Sequence, residues 1–140
     1  MKRYLLDTSA LLTLKHEELG ADEVEYILRQ ASYGKVEVWV SFITFMELFY
    51  IVWQKQGQEE AYRIFLETKA LPIKKIDTNE SLGLIAGELK AKFSISVADS
   101  WIAASSVQIQ AILVHKDPEF ESLKDILELQ ALPYKKIKTS

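Results

Sequence analysis

Tyr4-Leu5-Leu6-Asp7-Thr8-Ser9-Ala10-Leu11-Leu12 is the stretch from which the fold can be predicted: an apolar run ends on a carboxylate, and residues that favour a helix follow. We interpret the run as the first, central strand of a parallel sheet, with Asp7 at its carboxyl end. Ligands of open α/β sheets bind at that edge. Asp7 is therefore a candidate site residue, although an Asp in this place could also serve only to cap the next helix.

Working outward from this stretch, helical and strand patterns alternate along the whole chain. Helices are predicted over 8–14, 17–33, 41–56, 59–69, from Asp77 or Thr78 to about 89, and 97–110, and strands over 36–40, 73–76, 111–114 and 127–129. This order predicts an α/β fold: a three-layer α/β/α sandwich with a mostly parallel, Rossmann-like central sheet. A chain of 140 residues is the size of one domain, so we expect a single unit over residues 1–140.

The helix over 41–56, with Ser41 as its N-cap, is apolar around most of its circumference. We therefore expect it to be buried on nearly all sides. The following helix, 59–69, should form a hairpin with it. The strand over 73–76 carries paired lysines and follows a proline, which predicts a place at or near a sheet edge.

Composition limits the chemistry that the chain can perform. It has no cysteine and only two histidines, which excludes a thiolate or histidine-rich metal site and leaves oxygen ligands, the kind that Mg²⁺ and Mn²⁺ prefer. The net charge of −3 argues against broad electrostatic capture of nucleic acid, although a basic tail follows at Lys135, Lys136 and Lys138. No export signal and no membrane segment is apparent, so we expect a cytoplasmic location.

Two further acids are candidate site residues, and one of them, Asp117, stands in a place equivalent to that of Asp7. Asp99 falls in the first turn of the helix over 97–110, and Asp117 follows the apolar run 111–114. Each also has a purely structural explanation. The charge of Asp99 would stabilise the helix N-terminus by interacting with the helix dipole, and Asp117 before Pro118 would cap a helix. Glu119 is a nearby substitute if Asp117 only caps.

Glu47 is the most informative acid, because it stands in the middle of the apolar helix 41–56. A buried carboxylate needs a cation, a proton or strong hydrogen-bond donors nearby. Thr44, three residues earlier, lies on the same helical face. The alternative is a structural ion pair with an arginine or a lysine; the arginines available are Arg3, Arg29 and Arg63.

Together, two strands and two helices would each bring a carboxylate to one edge of the sheet. Four carboxylates at close range repel one another, and some would have to stay protonated unless a cation were present. A divalent ion removes that conflict. Such ions also activate water and neutralise phosphate charge in phosphodiester chemistry.

Four motifs of the chain resemble those of the PIN-domain ribonucleases, and most closely the VapC-type toxins of toxin-antitoxin pairs. They are Leu6-Asp7-Thr8-Ser9-Ala10-Leu11, Thr44-Phe45-Met46-Glu47-Leu48, Ala98-Asp99-Ser100-Trp101-Ile102-Ala103 and Leu113-Val114-His115-Lys116-Asp117-Pro118-Glu119-Phe120. The resemblance covers essentially the whole chain, in the right order and spacing. One departure is His115, which stands where relatives often have Thr or Ser.

The resemblance implies that Asp7, Glu47, Asp99 and Asp117 form the metal-binding and catalytic set of a Mg²⁺- or Mn²⁺-dependent endoribonuclease. It also implies an RNA substrate, a small inhibitory antitoxin and a homodimer. Ser9, Thr44 and Lys116 are candidate substrate-binding or supporting residues. Water would be the nucleophile, because no Ser-His or Cys-His arrangement suggests covalent attack.

Other functions remain open from the sequence. The fold would also suit an RNA-processing nuclease outside a toxin pair, or a Mg²⁺-binding receiver module, although the receiver leaves Glu47 unexplained. A third possibility is an interaction protein without activity. The helical hairpin carries many aromatics, which would either pack inside or form a dimer or antitoxin surface: Phe49, Tyr50, Trp53, Tyr62 and Phe65.

Overall fold

The computed structural model describes residues 1–134, in which strands and helices alternate as the sequence predicts. The elements are β1 (Arg3–Leu6), α1 (Thr8–Lys15), α2 (Ala21–Ser32), β2 (Glu37–Ser41), α3 (Phe42–Gln56), α4 (Gln58–Lys69), β3 (Lys74–Ile76), α5 (Glu80–Lys92), α6 (Val97–Ile109), β4 (Ile112–His115), a 3₁₀ turn (Pro118–Leu123) and β5 (Leu129–Ala131). The basic tail at Lys135, Lys136 and Lys138 lies outside the described residues.

The strands of the described chain form one five-stranded sheet in the order β3-β2-β1-β4-β5, with every neighbouring pair parallel. The first strand lies at the centre, where Leu5 pairs with Trp39 of β2 on one side and Leu113 of β4 on the other. The lysine-bearing β3 is an edge strand, as predicted. All the carboxyl ends point to one rim, which is where the folded chain can gather its acids.

Successive residues of the central strand face opposite layers, as strand geometry requires. Leu5 packs in a core cluster beneath α5 and α6 that contains Leu82 and Ile102. Leu6 faces the other side and packs with Leu11 and Val24 of α1 and α2. Helices therefore cover both faces of the sheet, and the predicted three-layer sandwich is confirmed.

The expectation that α3 is buried on nearly all sides is wrong. Its fully buried residues are Thr44, Leu48 and Val52, which form one stripe at helical spacing. Its opposite face carries apolar side chains in solvent: Met46 is 57% exposed and Trp53 43% exposed. Helix α3 has more apolar residues than the sheet and the neighbouring helices can cover, so the α3–α4 hairpin has a solvent-exposed apolar face.

Some predicted boundaries need correction. The second helix begins at Ala21 instead of residue 17, because Glu17 and Gly20 have φ of 51° and 104°, which a right-handed helix excludes. A side chain at Gly20 would meet Leu132 at 3.2 Å, so that position requires glycine for space as well. The chain also reaches its last strand later than predicted, at Leu129–Ala131.

Caps differ from the prediction in two places. Helix α5 is capped by Asn79, whose side chain accepts a hydrogen bond from the Leu82 amide at 2.8 Å, and not by Asp77 or Thr78. Ser41 does occupy the N-cap position of α3, but its hydroxyl makes no capping bond. No helix among residues 1–134 has both the length and the apolar character needed to cross a membrane.

Candidate metal centre

Asp7 lies at the carboxyl end of the central strand, where β1 passes into α1. Its amide donates to the Val114 carbonyl at 3.1 Å, which continues the β1–β4 ladder by one residue. Its side chain turns back as the N-cap of α1 and accepts from the Ala10 amide at 2.7 Å. Asp7 therefore does cap α1, as the structural alternative predicts, and the capping hydrogen bond holds its carboxylate at the rim.

The environment of Asp7 combines deep burial with several donors. The residue is 2% exposed, and the Ser9 hydroxyl lies 2.8 and 2.7 Å from its two oxygens. The pKa of Asp7 is raised to about 7, chiefly by burial, with smaller contributions in the same direction from the charges of Asp117 and Glu47; the hydrogen bonds from Ser9 and Ala10 lower it. Asp7 is thus within electrostatic range of two other predicted site acids.

Asp99 lies in the first turn of α6, whose N-cap Ser96 accepts the Asp99 amide at 3.1 Å. Ligand oxygens of Asp99, Asp117 and Glu119 all lie within 4.8 Å of one another. Burial raises the pKa of Asp99 to about 10, and hydrogen bonds to Glu119 and Asp117 and the charges of Asp117 and Asp7 contribute in the same direction. Without a cation, this group of acids retains a proton well above neutral pH.

Asp117 caps the 3₁₀ turn that follows β4: its Oδ1 accepts the Glu119 amide at 2.9 Å. This bond draws Glu119 back toward the rim beside Asp117. Glu119 is predicted from the sequence only as a substitute for Asp117, whereas the structure brings both acids to the same place. The Asp-Pro pair predicts the cap and the start of the turn, but the position of the Glu119 carboxylate depends on the folded geometry of that turn.

Glu47 reaches the rim from α3 and is half-buried. Its Oε1 accepts a 2.6 Å hydrogen bond from the Thr8 hydroxyl, and that hydroxyl also lies 3.4 Å from Thr44. In the described chain none of the three arginines pairs with Glu47: Arg3 faces Glu37, Arg29 faces Glu25, and Arg63 faces Glu60 and Glu67. Within residues 1–134, Glu47 therefore forms no ion pair with an arginine or a lysine.

The three predicted substrate or supporting residues have different surroundings. Ser9 bridges Asp7 and β4, because its hydroxyl also accepts the Lys116 amide at 2.8 Å. Thr44 is fully buried beneath Thr8 and has no surface open to a ligand. The side chain of Lys116 is 5% exposed, with its Nζ 4.0 Å from Glu18.

A small pocket of about 390 Å³ adjoins this rim. Its lining includes Ser9 and Lys116 together with Leu12, His16, Glu18, Lys55, Pro118 and Tyr134. Lys55 and Lys116 bring positive charge to this pocket, so a polyanion bound to the acids through a cation would meet lysines beside them.

The donor set fits a hard divalent cation. Carboxylates from β1, α6 and the 3₁₀ turn supply only oxygen, which is what Mg²⁺ and Mn²⁺ bind. The raised pKa of Asp99 shows that these groups oppose joint ionisation in the absence of such an ion. The described chain thus has the form of a parallel α/β domain with a carboxylate cluster at the carboxyl rim of its sheet, where proteins of this architecture place their sites.

The chain belongs to the PIN domain family, whose model matches residues 4–126. Known structures agree in fold. The chain resembles VapBC2 from Rickettsia felis, solved bound to a DNA fragment from its promoter, with a TM-score of 0.75, 21% identity, and coverage of 94% of this chain and 99% of that one.

Two other solved structures are similar. VapBC-1 from nontypeable Haemophilus influenzae matches with a TM-score of 0.69 and 28% identity over 92% of this chain and 97% of that one. VapC20 from Mycobacterium tuberculosis, described as a sarcin-ricin loop cleaving toxin, matches with a TM-score of 0.66 and 13% identity over 85% of this chain and 93% of that one. No curated protein sequence matches the chain.

Proposed function

We propose that the chain is a Mg²⁺- or Mn²⁺-dependent endoribonuclease and the toxin of a toxin-antitoxin pair. The observation that carries the proposal is the meeting of Asp99, Asp117 and Glu119 within 4.8 Å at the sheet rim, with Asp7 close enough for its charge to be felt. Membership of the PIN domain family supports a nuclease, and the similarity to an RNA-cleaving toxin supports RNA as the substrate.

In this proposal Asp7, Asp99 and Asp117 hold the ion, and Glu119 and Glu47 complete its surroundings directly or through water. A divalent ion in such a site lowers the pKa of water and neutralises charge that develops on a phosphodiester. Ser9 keeps Asp7 oriented through its hydrogen bonds to both carboxylate oxygens. Thr8 does the same for Glu47.

Cations beside the acids would position the RNA backbone. Lys55 is exposed and lines the pocket next to Ser9, so it can reach a phosphate directly, and the exposed ring of His16 lines the same pocket and can offer an N–H donor. Lys116 would have to turn from Glu18 to do so. Phosphate contacts of this kind position the substrate without reading its sequence.

The activity test uses purified protein with single-stranded RNA and a synthetic sarcin-ricin loop. Cleavage in Mn²⁺ or Mg²⁺, its loss in EDTA and its loss in Asp99→Asn are the expected results. Asp22→Asn, the same substitution at an exposed position on α2, is the matched control and should cleave like the wild type. RNA cleavage that persists in EDTA or in Asp99→Asn would contradict the proposal.

An antitoxin partner is proposed from the α3–α4 hairpin. Its apolar groove of about 680 Å³ is lined by Phe45, Met46, Phe49, Tyr50, Trp53, Gln54 and Phe65. Tyr50, Trp53 and Tyr62 are 43–50% exposed, so the aromatics do not all pack inside. VapBC proteins are described as a family of toxin-antitoxin systems, which supports an antitoxin partner, and this exposed apolar groove is the place proposed for one of its segments.

Co-expression with the product of the adjacent reading frame tests the partnership. The wild type should arrest growth when expressed alone and should co-purify with that product, whereas Trp53→Lys should lose the complex and keep RNA cleavage. Arrest that the neighbouring product never relieves would favour an RNA-processing nuclease outside a toxin pair. The proposed homodimer is checked separately by sedimentation, where a strict monomer at high concentration would exclude it.

A further inference from the structure

His115 ends β4 as a fully buried imidazole two residues before Asp117. Its ring packs edge-on against Phe120, with ring centroids 5.2 Å apart, and lies 6.2 Å from the Tyr134 ring. Its carbonyl accepts the Leu132 amide at 2.7 Å, which ties the backbone of β4 to the chain after β5. The ring therefore has one fixed position.

The Nδ1 atom of this ring accepts the Asp117 backbone amide at 3.1 Å. An amide can only donate, so Nδ1 must carry its lone pair toward Asp117. The spacing, a side-chain acceptor bonded to the amide two residues on, is the arrangement that Asn and Asp side chains use in turns. His115 thus shapes the turn that carries the last acids of the rim.

Two consecutive amides of that turn are held by side chains from different elements. Ser9 of α1 accepts the Lys116 amide, and His115 of β4 accepts the Asp117 amide. Asp117 in turn accepts the Glu119 amide. The orientation of both Asp117 and Glu119 therefore depends on a backbone segment that the imidazole holds in place.

The other ring nitrogen argues against a simple packing role. Within residues 1–134, Nε2 of His115 is buried and has no hydrogen-bond partner. An apolar side chain of similar volume would fill the same space without burying an unpaired polar atom. What the imidazole provides and such a side chain does not is the acceptor at Nδ1.

We infer that His115 is a positioning residue, whose Nδ1 bond to the Asp117 amide sets the direction in which Asp117 and Glu119 present their carboxylates to the site. This inference rests on the proposed function, since it concerns the same metal centre. His115 itself contacts neither ion nor substrate; it acts through the backbone of the turn.

Two substitutions separate positioning from packing. His115→Asn keeps an acceptor that can reach the Asp117 amide but loses the volume of the ring. His115→Leu keeps most of the volume and loses the acceptor. If only packing mattered, the Asn variant would be the more damaged by every measure; if positioning matters, the Leu variant would be the worse metal binder even where it is the more stable protein.

Mn²⁺ titration calorimetry and RNA cleavage provide the readouts. In His115→Leu we expect Mn²⁺ affinity and kcat to fall by about 10- to 100-fold with little change in KM, as for residues that orient metal ligands. In His115→Asn both should stay within about threefold of the wild type, although its melting temperature is the lower of the two. Wild-type Mn²⁺ affinity in His115→Leu, or equal losses in both variants, would overturn the inference.

Amide hydrogen exchange at Asp117 in metal-free protein keeps this test separate from the proposed function. Protection that is lost in His115→Leu and kept in His115→Asn supports the inference even if the wild type bound no Mn²⁺, a result that would contradict the proposed function alone. Protection that remains in His115→Leu would overturn the inference whatever the metal does.

Discussion

The two halves of the acidic rim are stabilised in opposite ways. On one side, Asp7 receives hydrogen bonds from Ser9 and Ala10, and Glu47 receives one from Thr8. On the other side, Asp99 faces Asp117 and Glu119, and the pKa of Asp99 is raised to about 10. Hydrogen bonds from the protein itself orient the first half, whereas the acids of the second half repel one another, and a divalent ion would relieve that repulsion.

This difference predicts where each substitution will act. Changes on the Asp99 side should remove metal binding and relieve repulsion in the metal-free protein. Changes on the Asp7 side should leave the charge in place and loosen its orientation, with smaller effects.

The largest effect is expected for Asp99→Asn. Loss of this carboxylate should reduce RNA cleavage by about 100-fold or more, since it removes a charge aimed at the reacting centre. The same variant should be more stable than the wild type in EDTA near pH 8, because its folding no longer requires the protonation of a buried carboxylate whose folded-state pKa is about 10. Cleavage assays and chemical denaturation check the two outcomes, with Asp22→Asn as control; a variant that is both less active and less stable would break the comparison.

The next effect is a dependence of stability on pH in metal-free protein. Asp7 and Asp99 have folded-state pKa values above 3.8, so the folded chain binds more protons than the unfolded chain between that value and about 7 to 10. The free energy of unfolding should therefore fall as pH rises from about 5 to 8, by roughly 1 to 3 kcal/mol per pH unit, because each proton that only the folded chain retains contributes about 1.4 kcal/mol per unit.

Denaturation in EDTA at several pH values measures this slope. Added Mn²⁺ should stabilise the protein more at the higher pH, because metal binding requires deprotonated ligands. A metal-free protein whose stability rises over that range would show that the acids are less crowded than the structure indicates.

Ser9→Ala tests the oriented half of the rim. The hydroxyl contacts both oxygens of Asp7 and accepts the Lys116 amide, so its loss should lower cleavage about 10-fold while the charge of Asp7 remains. Initial rates across Mn²⁺ concentrations give the measurement. Ser32→Ala, which removes an exposed hydroxyl on α2, is the control. An effect as large as that of Asp99→Asn would erase the distinction between the halves.

The smallest effect is expected for Thr8→Val, which removes the donor to Glu47 with little change in shape. Loss of one partly buried hydrogen bond costs about 1 kcal/mol, so cleavage should fall about fivefold. Thr68→Val removes a buried hydroxyl whose hydrogen bond lies within α4, a helix that carries none of the rim acids, and should leave the rate unchanged. If both valine variants lost activity equally, stability alone would account for the loss.

Much of the fold follows from local pattern. The central strand, the fully buried β4 and the edge position of β3 could be predicted because apolar runs, flanking prolines and paired lysines have direct structural meaning. The start of α2 could not be predicted in this way, because Glu17 has a φ of 51° and its residue type does not indicate a left-handed conformation.

The burial of α3 was predicted wrongly for a physical reason. Periodicity indicates which residues are apolar, but the neighbouring elements decide which of them are covered. Met46 and Trp53 face away from the sheet, and nothing in their own sequence distinguishes them from Leu48, which is 1% exposed.

The candidate site shows the same division. Asp7, Asp99 and Asp117 could be placed at one rim from their positions after strands and at a helix start. The position of Glu119 close to these acids depends on the geometry of the turn, which hydrogen bonds to Asp117 and His115 set, and only the folded structure shows it. Helical spacing places Thr44 on the same face as Glu47, but it does not show that Thr44 is buried beneath Thr8 and closed to a ligand.

The most direct test of the account is anomalous scattering from crystals of the wild-type protein grown with Mn²⁺. The account predicts a peak at the carboxyl rim of the sheet, coordinated by oxygens of Asp7, Asp99 and Asp117, and no peak there in Asp99→Asn. Wild-type crystals in which Mn²⁺ binds only elsewhere, while the rim acids contact one another without a metal ion, would contradict the proposed metal centre.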